Sequence, residues 1–319
     1  GVLLDERDPA GGLDLEAAAG PVAAGGPMLG APAGMTSAGE LRILTTLDPA
    51  EHGFLADHRI EGTPVLPGVM GIEAFAEAAV VLLPGWVPVA AEHVAFLAPF
   101  KFYRDEPREL DIRVALRDGG DGTVVARCRL LGRRPLPSGD VQETEHFTAT
   151  VRCAPAADPA PASAPPAGPD GAVVDREAVY GVYFHGPAYQ VLDAAWPADG
   201  TVVGRLAGGL PPNHAPSGDG LRFAPRLIEL CFQTAGIWEI GTTGRMALPA
   251  GIDRVTVDPG AAEADGLHAV VVPSETGVSA EVRDAEGHVA VRLDGYRTIE
   301  LPGGLEADAL APIRAAIRE

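Results

Sequence analysis

Two short stretches of this sequence hold residue types that could carry acid–base chemistry. His58 sits in the run DHRIEGTPVLPGVMG, residues 57–71, where His58, Gly62 and Pro67 form H-x-x-x-G-x-x-x-x-P. A proline suits the first turn of a helix, which has no use for its missing amide. Such a helix start exposes free N–H groups and a partial positive charge. Amides at Gly68 or near it could polarise an acyl carbonyl, while an imidazole with an ordinary pKa of about 6.5 acts as a base beside it. The second stretch, FAPRLIELCFQTAG at residues 223–236, sets Glu229 and Gln233 four apart on one helical face among apolar neighbours. A carboxylate there is costly to bury as a charge, so it should be partnered, protonated or facing a cavity. Burial raises a carboxylic acid's pKa, which suits a proton donor, and Gln233 could hold it by a hydrogen bond. A third stretch, YGVYFHGPAYQVL at residues 180–192, reads as a loop against a ligand tunnel or equally as an aromatic first strand. His185 within it reads as structural. Taken alone, His58 also fits a turn histidine, and Glu229 the wet edge of an amphipathic helix.

The elements that must position these residues repeat. Pro67 opens a stretch in which Val69, Ile72, Phe75, Ala76, Ala79 and Leu83 fall at helical spacing. Four runs with strand character follow, at 89–102, 109–118, 122–132 and 143–153. ELDIRVAL and HFTATVRC alternate apolar with polar, and GGDG joins the second and third runs as a hairpin. Pro225 opens a second apolar helix, followed by runs at 250–258, 267–273, 277–283 and 288–301. A helix apolar on most faces is buried. One such helix wrapped by a curved antiparallel sheet is a hot dog, so the expected class is α+β, a double hot dog. The expected division is a linker or upstream tail at 1–38 and a first subdomain with His58 at 39–153. An Ala/Pro-rich linker follows at 154–173, then a second subdomain with Glu229 at 174–302. A C-terminal helix or linker closes the chain at 303–319. The start at Gly1, without a leader, reads as a piece cut from a longer protein.

Composition narrows the partners. The 319 residues hold 24 Lys+Arg against 44 Asp+Glu, a net charge of −20. Nucleic acid and anionic membranes repel such a chain. No apolar run is long enough to span a bilayer. Three cysteines without ligand spacing read as free thiols in a reducing compartment, which fits the cytoplasm. No metal site is expected, and no Gly-rich nucleotide fingerprint follows a strand.

Together the three stretches resemble the dehydratase domain of modular and iterative polyketide synthases and related multifunctional fatty-acid synthases, the polyunsaturated-fatty-acid type among them. His58-x-x-x-Gly62-x-x-x-x-Pro67 matches the family's first motif in full. Tyr180-Gly181-x-x-Phe184-x-Gly186 matches its Y-G-x-x-F-x-G, with Val182 where Pro is usual. Pro225 through Gln233 follows its H-P-x-x-x-D-x-x-x-Q/H, but Ala224 replaces the His and Glu229 the catalytic Asp. The resemblance covers about residues 39–302. It implies a lyase that removes water from a 3-hydroxyacyl thioester on an acyl carrier protein, giving a 2-enoyl thioester. By resemblance His58 is the base and Glu229 the acid. Gln233 orients that carboxyl, Tyr180 touches the substrate or the active-site loop, and amides near Val65 and Gly68 bind the thioester oxygen. The domain itself would bind no cofactor, since the substrate rides on phosphopantetheine. Other domains of the parent synthase and a homodimeric assembly are the implied partners. Arg133 with Arg134, or Lys101 with Arg104, are candidate basic patches for the carrier. The Glu229 departure leaves a non-catalytic acyl-binding module open, and an isomerase, cyclase or thioesterase could use the same acid–base pair.

Overall fold

The computed structural model describes residues 25–36, 39–136, 141–158, 160–214, 220–275, 277–301 and 307–318. In the first half, β1 (Ala31–Met35) and β2 (Leu41–Leu47) precede a short helix α1 (Gly53–Ala56). A small hairpin, β3 (Arg59–Ile60) and β4 (Thr63–Pro64), leads to the long helix α2 (Gly68–Leu82). Strands β5 (Val87–Phe96), β6 (Arg108–Asp118), β7 (Val124–Pro135) and β8 (Val141–Ala154) follow. In the second half, β9 (Val174–Asp175), α3 (Arg176–Tyr180), β10 (Leu192–Ala198) and β11 (Thr201–Leu206) precede the long helix α4 (Pro225–Thr243). Strands β12 (Ala247–Val257), β13 (His268–Ser274), β14 (Gly277–Arg283) and β15 (Val289–Glu300) complete it, and helix α5 (Ala307–Arg318) closes the chain.

Among the described residues thirteen strands form one antiparallel sheet, ordered β1-β2-β6-β7-β8-β5-β12-β15-β14-β13-β11-β10-β9. The order mirrors itself about the β5–β12 pair, where Ala91 lies opposite Val255 and Ala95 opposite Gly251. Each half is one long helix against its own part of the sheet, and the two helices touch. In α2 every residue from Val69 to Ala79 is buried, which requires the near-continuous apolar run the sequence shows. Helix α4 starts with Pro225 at its first turn and stops at Gly244, whose φ of 77° gives the left-handed ending that favours glycine.

The structure places strands where the four-strand expectation had none. β2 and β11, which precede their helices, pair with β6 and β13 and supply a fifth strand to each half. One terminal segment also differs from its expected role as a linker or tail. The described part of 1–38 pairs through β1 with β2 and buries Met28 completely. Residues 1–24 lie outside the described residues. Helix α5 buries Leu310, Ile313 and Ala316, and Arg318 donates to the Gly241 and Thr242 carbonyls near the end of α4. Beyond Ala154, which pairs with Val87, the described residues of the Ala/Pro segment have no strand pairing, but the segment is fastened to the second half. Trp196 Nε1 donates to Ala167 O, Arg283 to Ala164 O, and Ser163 N to Gly287 O. No helix among the described residues is long and apolar enough to cross a membrane. All three cysteines are free and buried.

Candidate active site

The first motif is a folding instruction. His58 stands just before the β3–β4 hairpin, whose two turn residues, Glu61 and Gly62, both have positive φ, 49° and 78°. That is the backbone of a tight two-residue turn, which favours glycine. After the hairpin Pro67, with φ −59°, feeds α2. The turn returns the chain so that Val65 O meets His58 Nδ1 at 2.7 Å and Val65 N meets His58 O at 2.9 Å. Nδ1 therefore carries the proton and donates it to the carbonyl, and the lone pair is on Nε2. Burial, with His185 nearby, pushes the His58 pKa down to about 4 despite the pull of Glu229. At neutral pH His58 is an uncharged base.

The second half meets it through the loop after α3. His185 and His58 pair as an isolated antiparallel bridge. Gly186 N donates to Asp57 O at 2.7 Å, and Ala188 N to the Asp57 carboxylate at 2.8 Å. A Cβ on Gly186 would stand 2.9 Å from the Cβ of Asp57, so this close approach requires glycine. Phe184 stacks on His185 with centroids 4.4 Å apart and meets the His58 ring edge-on at 5.2 Å. Gly181 ends α3.

Glu229 projects from α4, its side chain only 7% exposed. Gln233 Nε2 donates to Glu229 Oε1 at 2.9 Å and to Tyr189 O at 2.8 Å. Gln233 Oε1 accepts from Tyr180 Oη at 2.8 Å, which in turn accepts from Leu192 N at 2.8 Å. Tyr183 Oη donates to Gln233 O at 2.7 Å. The amide of Gln233 is thereby fixed in one orientation. His185 Nε2 lies 3.2 Å from the same Glu229 Oε1. Burial alone would raise the Glu229 pKa, but the His185 contact, with smaller help from His58 and Gln233, holds the carboxyl below its usual range.

His58 and Glu229 line one cavity of about 310 Å³, together with Gly68, His185 and Gln233. Its other walls are mostly apolar, among them Phe96, Phe147, Phe232, Ile240 and Tyr296. Leu97 and Ile299 line it and are also exposed, so its rim is greasy. A Cβ on Gly68 would come within 2.8 Å of the Phe96 ring, so the helix start can approach this wall only as glycine.

Three expected placements change. The Val65 amide is spent on His58 O, so of the two expected amides only that of Gly68, in the first turn of α2, is left for a substrate oxygen. Tyr180 is absent from the cavity lining and acts behind Gln233, while Tyr183 lines the wall. His185, read from sequence as structural, is a wall residue bonded to the carboxyl. Its signal was its place between Phe184 and Gly186, inside a motif, although nothing in the spacing said that it faces Glu229. Of the candidate basic patches, Arg133 lies 3.5 Å from Glu143 and Arg104 3.8 Å from Glu106, so both are partly neutralised.

A family model described as polyketide synthase dehydratase N-terminal domain matches residues 153–308, and one described as polyketide synthase dehydratase domain matches residues 26–127. The chain belongs to the polyketide synthase dehydratase family. Members of the family are hydro-lyases acting on 3-hydroxyacyl thioesters. The chain is 28% identical to the pikromycin polyketide synthase component PikAII of Streptomyces venezuelae over 96% of its length. It is 26% identical to a component of the polyunsaturated fatty acid synthase of a Thraustochytrium species over 64% of its length. It spans only 9% and 7% of these relatives. The dehydratase domain from the CurF module of the curacin polyketide synthase superposes with a TM-score of 0.71 at 16% identity, covering 87% of this chain and all of that one. That likeness establishes the double hot dog as the dehydratase fold here. Within it, Ala224, which stands where the family motif has His, takes the left-handed conformation at the head of α4, with φ 43°.

Proposed function

We propose that this dehydratase domain works within a larger synthase. It removes water from a 3-hydroxyacyl chain brought on the phosphopantetheine arm of an acyl carrier protein and leaves a 2-enoyl thioester. One observation carries the assignment of residues. An uncharged imidazole, its Nδ1 committed to a backbone carbonyl, shares an apolar cavity with a buried carboxyl group from the opposite half. His58 Nε2 takes the proton from the carbon next to the thioester. The electrons of that C–H bond form the new double bond, and the C–O bond at the neighbouring carbon breaks. Glu229 protonates the departing hydroxyl, which leaves as water. The Gly68 amide faces the thioester oxygen as negative charge develops there.

Held below its usual range by His185, Glu229 has its productive form when it has gained a proton. An acyl chain filling the apolar cavity drives out water and strengthens the burial that favours the neutral acid. The domain needs no cofactor of its own for these steps, and its parent synthase is proposed to be a homodimer.

The test is turnover of a 3-hydroxyacyl pantetheine thioester with identification of the product. Positioned acid–base groups contribute about 10²–10⁴-fold. The expected result is an enoyl thioester whose formation falls at least about a hundredfold in His58→Ala. A double-bond shift, cyclisation or thioester hydrolysis as the main product, or equal rates with and without His58, would replace this reading.

A further inference from the structure

The elimination needs one carboxyl oxygen aimed at the leaving hydroxyl, and the surroundings of Glu229 decide which. Gln233 Nε2 and His185 Nε2 both reach Oε1, at 2.9 and 3.2 Å, and no hydrogen bond among the described residues reaches Oε2. The other ring nitrogen, His185 Nδ1, is buried without a hydrogen-bond partner, and the side chain as a whole is 7% exposed. An unpaired buried N–H costs more than an unpaired lone pair. The ring proton of neutral His185 therefore belongs on Nε2, where it is donated to Glu229. The ring cannot easily turn away. It is stacked on Phe184, edge-on to His58 at 5.4 Å, and its backbone is bridged to that of His58.

We propose that His185 is a positioning residue for the acid of this dehydratase: with Gln233 it holds Glu229 Oε1 as an acceptor from two sides, so that the transferable proton sits on Oε2, facing the hydroxyl. The proposal rests on the dehydratase reading and deepens it. With two N–H donors on Oε1, that oxygen keeps the carbonyl role in the neutral acid, and the O–H bond that breaks during elimination is on Oε2. The proposal also accounts for glutamate in place of the family's aspartate. The additional methylene carries the carboxyl out to His185, between Phe184 and Gly186. An aspartate here would be one bond length too short to keep both donors.

The experiment compares three variants of the intact chain in the pantetheine assay. His185→Phe, which keeps the ring shape but removes the donor, should lower kcat about tenfold to a hundredfold with little change in KM, as expected for a misplaced reacting group. It should also move the alkaline limb of the kcat profile to higher pH, because a donor that favours the carboxylate is gone. His185→Gln, which can donate from a similar place, should recover most of the rate. In a Glu229→Asp background His185→Phe should cost only a few-fold more, the non-additivity of two groups that act through one contact. Unchanged kcat and pH profile in a folded His185→Phe, or full additivity with Glu229→Asp, overturns the proposal while loss of turnover in His58→Ala leaves the dehydratase reading standing. Absence of His58-dependent turnover in the unmodified chain overturns both.

Discussion

A histidine proposed to take a proton from carbon gains by being hard to protonate from water. The His58 pKa is about 4 against an ordinary 6.5, chiefly through burial. The acid limb of kcat/KM, which reports the free enzyme's base, is therefore expected well below pH 6.5. A profile of kcat/KM between pH 4 and 8 checks it, and a limb at the ordinary imidazole value would contradict the buried geometry. The same shift acts on stability. Because the folded value is depressed, this contribution is present above pH 6.5 and is lost as pH falls through about 4. The place of His58 in the cavity was legible from sequence because Gly62 and Pro67 have backbone reasons to stand where they do. Val65 and His185 were not, because which amide is spent and which ring meets the carboxyl depend on pairing between residues far apart in sequence.

At the scale of elements, two buried carboxyl groups of α2 that the proposed chemistry does not use hold neighbouring segments, one of them the lead into α4. Glu73, fully buried in α2, accepts from the amides of Arg222 at 2.6 Å and Phe223 at 2.8 Å, on the loop that leads into α4. Glu77, one turn on, accepts from Met28 N at 3.0 Å. Burial raises Glu73 to about 7 and Glu77 well above the ordinary value, the latter with added repulsion from Glu73. A carboxyl whose folded pKa is raised stabilises the fold most below its unfolded value. Glu73's contribution should therefore fall as pH rises from about 4.5 to about 7. Urea unfolding at several pH values should show this decline, flattened in Glu73→Gln, which cannot ionise. Glu73→Ala leaves two amides without acceptors and should lower the unfolding free energy by about 2–6 kcal/mol at pH 6, at about 1–3 kcal/mol per unsatisfied buried group. The helices and the strands after them were readable from period and alternation. The strands before each helix were not, because LRILTTL and LDAAWPA become strands by pairing with β6 and with β11, not by a strong pattern of their own.

For the molecule as a whole, the duplication divides the chemistry. His58 comes from one half and the Glu229–Gln233–His185 group from the other, and both halves wall the same cavity. The joint has four parts: the β5–β12 strand pair, the contact of α2 with α4, Glu73 on the loop before α4, and Asp57 on the loop after α3. Separation would leave β5 as an open edge, ready to pair with another chain. It would also take from the buried Glu73 the two amides of the second half that its carboxyl accepts from. A chain ending at residue 158 is therefore expected to self-associate or precipitate when made alone, and to be inactive because it lacks the acid. Made together with the remainder of the chain, it should copurify as a one-to-one complex and regain His58-dependent turnover. Size-exclusion chromatography and the enoyl assay read both outcomes. Two halves that stay soluble, monomeric and indifferent to each other would mean that the continuous sheet is not what brings the imidazole and the carboxyl into one cavity.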